Sequence, residues 1–189
     1  AELNQDPSTV TKGDISYLFA QGVLDFEPSD YTYWFYNADQ MYQWTQLLVS
    51  TGGVTSTVFD GGTNPGFKSI DVLKYANEIK YLRSQMPEEE SSLYEAYEAA
   101  INVLCAYMGI FDSDFIGNIP HTEAAQALHG GTLTPKYDSV ESLYNLWLSN
   151  LDAAIVTFTT AQNQVFNTQQ DAIYNGQKDK WAKLANSLK

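Results

Sequence analysis

The sequence predicts an all-α protein built from paired antiparallel helices. In several long segments the apolar residues recur every three or four positions, which places them on one face of a helix. Loops of short or medium length that contain glycine or proline separate these segments. No run shows the two-residue alternation that is typical of a half-buried strand. Helix pairs of this size suggest a tetratricopeptide-like solenoid, although the formal repeat pattern is absent.

Composition sets the limits of the interpretation. The chain has 189 residues, 44% of them hydrophobic, which is enough for one globular domain with its own core. Asp and Glu number 23 against 10 Lys and Arg, and the net charge of −13 argues against nucleic acid or an anionic lipid surface as a partner. Cys105 is the single cysteine, so no disulfide framework is expected. No hydrophobic run approaches membrane-spanning length, and no signal peptide is recognised.

The chain is expected to have two parts. Residues 1–12 are polar, contain Pro7 and predict an extended arm, whereas residues 13–189 predict a single helical domain. In that domain, residues that favour helix caps mark most of the starts. The predicted helices begin at Asp14, at Asp30 (to about Ser50), at Ser69 (to about Gln85), at Leu93 (to Met108), at Asp138 and at Lys178.

The helix that begins at Leu93 is expected to organise the core. Its apolar face includes Leu104, and the helix from Asp138 presents Trp147 in the same way, so both side chains are expected to be buried. Gly109 interrupts the pattern, and the residues after it predict a turn with helix caps. These turn and cap residues are Asp112, Ser113 and Asp114, and residues 122–127 are expected to begin another short helix.

The last predicted helix keeps an apolar side up to its end at Lys189. Trp181, Leu184 and Leu188 lie on that side. No other segment offers obvious partners for Trp181 and Leu188, so an exposed patch and self-association of the chain are expected.

Patterns for catalysis and metal binding are weak in this sequence. The two histidines, His121 and His129, have no nucleophile in a recognisable frame, and neither HExxH nor a Gly-rich phosphate loop occurs. Asp112 and Asp114 are the pair of carboxylates that a glycosidase or a calcium loop would use. Because they lie two residues apart in a predicted turn, they fit the role of helix caps better. We therefore expect a binding protein, not an enzyme, with no catalytic residue, metal or cofactor.

Two aromatic-rich stretches are candidates for ligand binding. Five of the six residues 31–36 are aromatic, and one helix face cannot bury all of them. The loop over residues 53–66 is the better candidate, because aromatic residues bracket an Asp and an Asn there. Sugars need an apolar face to stack on and amide or carboxylate groups for their hydroxyls. The predicted ligand-binding residues are Tyr31, Trp34, Phe59, Asp60, Asn64 and Phe67.

Three motifs resemble those of a known family. The segment FIGNIPHTEA resembles the "GdIPYsEA" signature of SusD/RagB-like outer-membrane nutrient-binding lipoproteins, with Asn118 and His121 in place of the usual Asp and Tyr. The segment DAIYNGQKDKWAKLANSLK is similar to "DliYxGDxxKWxKFANSLKLR", with Gln177 and Leu184 as departures. Near the start, LNQDP is similar to "lNxnP". The three motifs occur in the order that the family shows.

The resemblance implies a fold, a location and partners. It implies that residues 13–189 are the N-terminal part of a longer SusD-like scaffold, with long binding loops and a ligand-contacting aromatic ahead of the helix from Ser69. It further implies a lipoprotein anchored on the outer membrane, with the anchor ahead of the arm. Such proteins bind oligosaccharides and work with a SusC-like TonB-dependent transporter.

Three alternatives stay open at this point. Some members of the family bind peptides instead of glycans. A tetratricopeptide-like scaffold that binds only protein, with no small ligand, is the second alternative. A glycoside hydrolase accessory enzyme is the third, and it would need sugar release that depends on Asp112 or Asp114.

Overall fold

The computed structural model describes residues 14–27, 42, 45–47, 67–160 and 164–189. Within these ranges the protein has six α-helices, one 3-10 helix and no strand, which confirms the predicted all-α class. The α-helices are α1 (Ile15–Phe26), α2 (Lys68–Ser84), α3 (Glu88–Ser92), α4 (Glu95–Ile116), α5 (Val140–Thr160) and α6 (Lys178–Leu188), and the 3-10 helix is Ala127–His129. The predicted arm and most of the predicted helix from Asp30 lie outside the described residues.

Helix α4 is the centre of the fold. It packs against α1, α2, α5 and α6, and its small and aliphatic residues are buried along most of its length. Leu104 on α4 and Trp147 on α5 are each only 1% exposed, so the prediction that both belong to the core is confirmed. Burial of an aliphatic or aromatic side chain of this size stabilises a fold by about 1.5–3 kcal/mol.

By length and composition, α4 is also able to cross a membrane. Its best 18-residue window has a mean hydropathy of 1.3, so the expectation that no run approaches such a length was wrong. However, 61% of that window is buried inside the fold, as in the core helix of a globular domain.

Contacts between opposite ends of the helices show antiparallel pairs. Arg83 near the end of α2 forms an ion pair with Glu98 in the first turn of α4. Asp112 near the end of α4 accepts a hydrogen bond of 2.7 Å from the amide of Ser69 at the start of α2. Helices α2 and α4 therefore run in opposite directions, as the short connection between them favours.

The pairs α4–α5 and α5–α6 follow the same rule. The hydroxyl of Tyr144, early in α5, donates to Asp114, late in α4, over 3.1 Å. Lys189, just beyond α6, forms an ion pair of 2.6 Å with Asp152 in the middle of α5. The ring of Phe158, near the end of α5, lies 6.3 Å from that of Trp181, near the start of α6.

The first helix follows the sequence closely. Asp14 is its N-cap and accepts a hydrogen bond of 2.8 Å from the amide of Ser16, as predicted. Phe19 is fully buried and its ring contacts Tyr97 on α4 at a centroid distance of 5.3 Å.

The turn predicted after Gly109 does not exist, because α4 continues to Ile116. Gly109 is required for packing: a Cβ added there would lie 2.4 Å from Cζ2 of Trp147. Asp112 is buried inside α4 and is not a turn residue. Its carboxylate accepts the hydrogen bond from the backbone amide of Ser69 at the start of α2. The predicted cap by the side chain of Ser69 is therefore not formed.

Two further local predictions were wrong. Residues 122–125 form bends and turns, and only the 3-10 helix Ala127–His129 follows them. The first turn of α5 is held by the hydroxyl of Ser139, which accepts from the amide of Ser142 over 3.2 Å. Asp138, the predicted cap, binds a different segment of the chain.

The exposed patch predicted at the end of the chain is also wrong for Trp181. Trp181 is fully buried between helices, and its indole Nε1 donates to Asp171 over 2.7 Å. Leu188 is partly buried against the same core. The periodicity of α6 located its apolar side correctly, but the residues that cover this side come from α1, α5 and the segment before α6.

Candidate functional site

The segment GNIPHTEA is a structural clamp. Asp138 accepts hydrogen bonds from the amides of His121 (3.0 Å) and Thr122 (2.8 Å) and from the hydroxyl of Thr122 (2.7 Å). In return, the amide of Asp138 donates to the carbonyl of Ile119 over 2.9 Å. The clamp holds the chain that enters α5 against the chain that leaves α4.

Each departure from the family signature has a structural role. Asn118, in place of the usual Asp, accepts from the amide of Val140 in the first turn of α5 over 3.2 Å. His121, in place of the usual Tyr, is buried, and its Nε2 accepts from Nε1 of Trp147 over 3.2 Å. Both side chains therefore contribute hydrogen bonds that hold this segment against α5.

The charge state of the clamp follows from these contacts. Burial alone raises the pKa of Asp138, but the hydrogen bonds from Thr122 and from the amide of His121 outweigh it and hold the pKa below its usual value. Burial lowers the pKa of His121, and the nearby carboxylate of Asp138 offsets only part of that effect. The clamp therefore holds a carboxylate beside a neutral imidazole at neutral pH.

The second signature is organised around Asp171, which is fully buried. Its carboxylate accepts from the amides of Ile173 and Tyr174 (3.0 Å each), from the amide of Gly176 (2.8 Å) and from the indole of Trp181 (2.7 Å). Gly176 has a φ of +73°, a left-handed conformation that glycine adopts without strain. The motif therefore closes a turn ahead of α6.

Cys105, the one cysteine of the sequence, is buried in α4. Burial raises the pKa of the Cys105 thiol to about 12, so this thiol stays protonated at neutral pH. No group of three or more His, Cys, Asp or Glu side chains suited to a metal ion occurs among residues 14–27, 42, 45–47, 67–160 and 164–189.

Of the predicted ligand-binding residues, the structure describes Phe67 alone. Phe67 directly precedes α2, is half-buried and packs against the edge of the core. The others, Tyr31, Trp34, Phe59, Asp60 and Asn64, lie outside the described residues, so the loop site stays a prediction.

Tyr137 is a neighbour of Phe67 that the sequence did not suggest. The two rings meet edge to face, with centroids 6.1 Å apart and planes at 73°. Tyr137 is 62% exposed, on the segment that the clamp holds. A signal existed in the sequence, since an aromatic residue follows Pro135 in a polar loop, but 70 positions separate it from Phe67. The two residues form an aromatic rim at the start of α2, next to the predicted binding loop.

Comparison with known proteins gives a family and a fold. The SusD-like family, described as starch-binding and associating with the outer membrane, matches residues 31–189. A solved SusD homologue from Parabacteroides distasonis is 22% identical, with a TM-score of 0.64, over 92% of this chain and 33% of that chain. A solved SusD/RagB family protein from Bacteroides thetaiotaomicron is also 22% identical, with a TM-score of 0.52, over 93% of this chain and 32% of that chain.

The chain thus spans about a third of the length of these two structures. No curated protein matches it.

Proposed function

We propose a function from the premise that the chain belongs to the SusD-like family, which is described as starch-binding and associating with the outer membrane. The protein binds a nutrient oligosaccharide at the outer surface of the outer membrane, where a lipid ahead of the N-terminal arm anchors it. It passes the oligosaccharide to a SusC-like TonB-dependent transporter. Its role is binding and delivery, without catalysis.

The family match over residues 31–189 carries this proposal, and the aromatic rim supports it. A pyranose ring has an apolar face that stacks on an aromatic side chain, and Tyr137 exposes most of its ring. Phe67 positions Tyr137 through the edge-to-face contact. Asp60 and Asn64, in the loop just ahead of Phe67, supply the hydrogen-bonding groups for sugar hydroxyls.

Isothermal titration of the protein with a panel of soluble glycans, maltooligosaccharides included, tests the proposal. We expect binding of at least one glycan, and a loss of about tenfold in affinity for Tyr137→Ala, about the value of one stacking contact. The matched control is Leu133→Ala, since Leu133 lies in the same loop, is 86% exposed and has no aromatic ring on which a sugar could stack. Equal affinities for wild type and Tyr137→Ala would show that the aromatic rim is not part of the binding site.

The other candidate functions give different outcomes in this experiment. Heat with peptides and none with any glycan would indicate a peptide-binding member of the family. Binding to a transporter barrel with no heat from either ligand would indicate a protein-interaction scaffold. Retention of the protein by the transporter in detergent extracts of the outer membrane tests the partnership by itself.

A further inference from the structure

A groove lies between α2, α4 and α5, on the side where residues 121–131 cover α2. It consists of three adjoining depressions of about 230, 290 and 280 Å³. The first two share Glu98, Asn102 and Asn150 in their walls. The last two share Asn77, Lys80 and Gln126. Small-ligand sites have volumes of about 300–1,000 Å³, so each depression alone is too small and adjoining ones together are large enough.

Two amide side chains in the groove have no hydrogen-bond partner among the residues that the structure describes. Asn102 on α4 and Asn150 on α5 are both half-buried, and neither forms a hydrogen bond with any described residue. Both amides line depressions that are open to solvent, so their polar atoms are available to a ligand. Together these two offer carbonyl and NH₂ groups from facing helices to whatever occupies the groove.

The groove also contains a cationic side chain, that of Lys80. Lys80 lines the two depressions nearer the end of α2, and no acidic group within the described ranges lies within salt-bridge distance of it. Arg83, by contrast, is held by Glu95 and Glu98. Lys80 therefore keeps its three N–H donors for water or a ligand.

An aromatic platform closes the outer end of the groove. The ring of Tyr81 stacks on that of His129, with centroids 3.5 Å apart and planes at 14°. Nε2 of His129 lies 2.5 Å from the Glu78 carboxylate, which fixes the imidazole. Tyr81 is 39% exposed and lines the third depression. One face of the Tyr81 ring is thus covered by His129, and the exposed part of the ring lines the groove.

This arrangement is separate from the aromatic rim. Phe67 and Tyr81 lie at opposite ends of α2, and fourteen residues of helix span about 21 Å. A short oligosaccharide at the rim does not reach the platform.

We propose that the groove is a second oligosaccharide-binding site, with Tyr81 as the stacking surface and Asn102, Asn150 and Lys80 as the hydroxyl-binding groups. The inference rests on the proposed function, since it assigns a further subsite for the same class of ligand. Planar amides bind vicinal hydroxyls, and a rigid aromatic face binds the apolar side of a sugar ring. A peptide would use the amides equally well, but the aromatic platform beside them favours a sugar.

The test uses the intact protein and the glycan that gives the largest heat in the panel. We expect two sites per protein, and a loss of about tenfold in affinity at one of them for Tyr81→Ala and for the double change Asn102→Ala with Asn150→Ala. Tyr17→Ala and Asn145→Ala are the controls, because both residues are exposed and lie outside the groove. Their melting temperatures and affinities should match those of the wild type.

Each outcome separates the two proposals. If the groove changes leave glycan binding intact and Phe67→Ala or Tyr137→Ala weakens it, the groove site is overturned and the proposed function stands. If no glycan binds the wild type, both are overturned. Side-chain amide NMR signals of Asn102 and Asn150 that shift with peptides but not with glycans would overturn the sugar assignment. Side-chain signals that shift with glycan in the Tyr137→Ala variant would support it.

Discussion

The indole Nε1 of Trp147 donates to Nε2 of His121, and the two rings meet edge to face at 89° in the interior. Because Nε2 accepts, the neutral imidazole has its proton on Nδ1. A second proton would have to enter at Nε2, where the indole N–H already points. The contact therefore requires a neutral histidine, in agreement with the lowered pKa of His121.

The stability of the protein should depend on His121 in mildly acidic solution. The pKa of His121 is lowered in the folded state, so below about 6.5 the unfolded chain binds more protons than the folded one. The free energy of unfolding then falls as pH drops from about 6.5 toward the folded pKa. In His121→Gln, which keeps an acceptor for Trp147, this slope should disappear. Urea unfolding at pH 7.5, 6.5 and 5.5 measures it, and an unchanged slope in the variant would contradict the assignment.

Gly109→Ala should destabilise the protein, although alanine favours a helix by about 1 kcal/mol over glycine. The new Cβ would lie 2.4 Å from Cζ2 of Trp147, and overpacking of this kind costs about 1–3 kcal/mol. Trp147→Phe removes the second ring, so Gly109→Ala should cost less in that background. Thermal denaturation of the four proteins of this cycle measures the difference. Equal costs in both backgrounds would show that the contact is relieved in another way.

Substitutions of Asp112 should separate its hydrogen bond from its charge. Burial raises the pKa of Asp112 despite the hydrogen bonds from Ser69, so ionisation of this carboxyl group opposes folding. The protonated carboxyl group therefore stabilises the fold at low pH, and this contribution is lost as pH rises from 3.8 through the folded pKa. Asp112→Asn keeps an acceptor for the Ser69 amide without the charge, and it should be at least as stable as the wild type at pH 7. Asp112→Ala leaves that amide unpaired and should cost about 1–3 kcal/mol. Urea unfolding measures the free energy of unfolding of both variants. An Asp112→Asn variant that is less stable than Asp112→Ala would refute this account.

The helices could be predicted from the sequence because their signals are local. The 3.6-residue period placed Leu104 and Trp147 in the core, and the cap at Asp14 needs only its own neighbours. Predictions failed where a residue has a distant partner. Asp112 binds an amide 43 positions away, and Gly109 accommodates a tryptophan ring from another helix. No local pattern contains either contact.

The candidate site shows the same limit. The sequence identified Phe67 through its loop, but the partner ring of Tyr137 is brought to it by the clamp at Asp138. Asn102 and Asn150 look like ordinary polar positions of two amphipathic helices. Only the packing of α4 against α5 places them in one groove.

The turn around Asp171 should be the most sensitive polar site of the described chain. One oxygen accepts from the amides of Ile173 and Tyr174, and the other accepts from the amide of Gly176 and the indole of Trp181. Asp171→Ala leaves these donors unpaired in the interior, and we expect a loss of about 3–5 kcal/mol in the free energy of unfolding.

Asp171→Asn provides the sharper test of this arrangement. Whichever way the amide is turned, its NH₂ group faces two donors, so this nearly isosteric change should still cost about 1–3 kcal/mol. In a Trp181→Phe background one of those donors is gone, and the cost of Asp171→Asn should fall. Asp179→Asn is the matched control, because Asp179 is exposed and its pair with Lys183 lies on the surface, so its effect should stay within about 0.5 kcal/mol. Urea unfolding of these variants decides the matter: equal costs for Asp171→Asn with and without the indole would show that the bond to Trp181 does not contribute to stability.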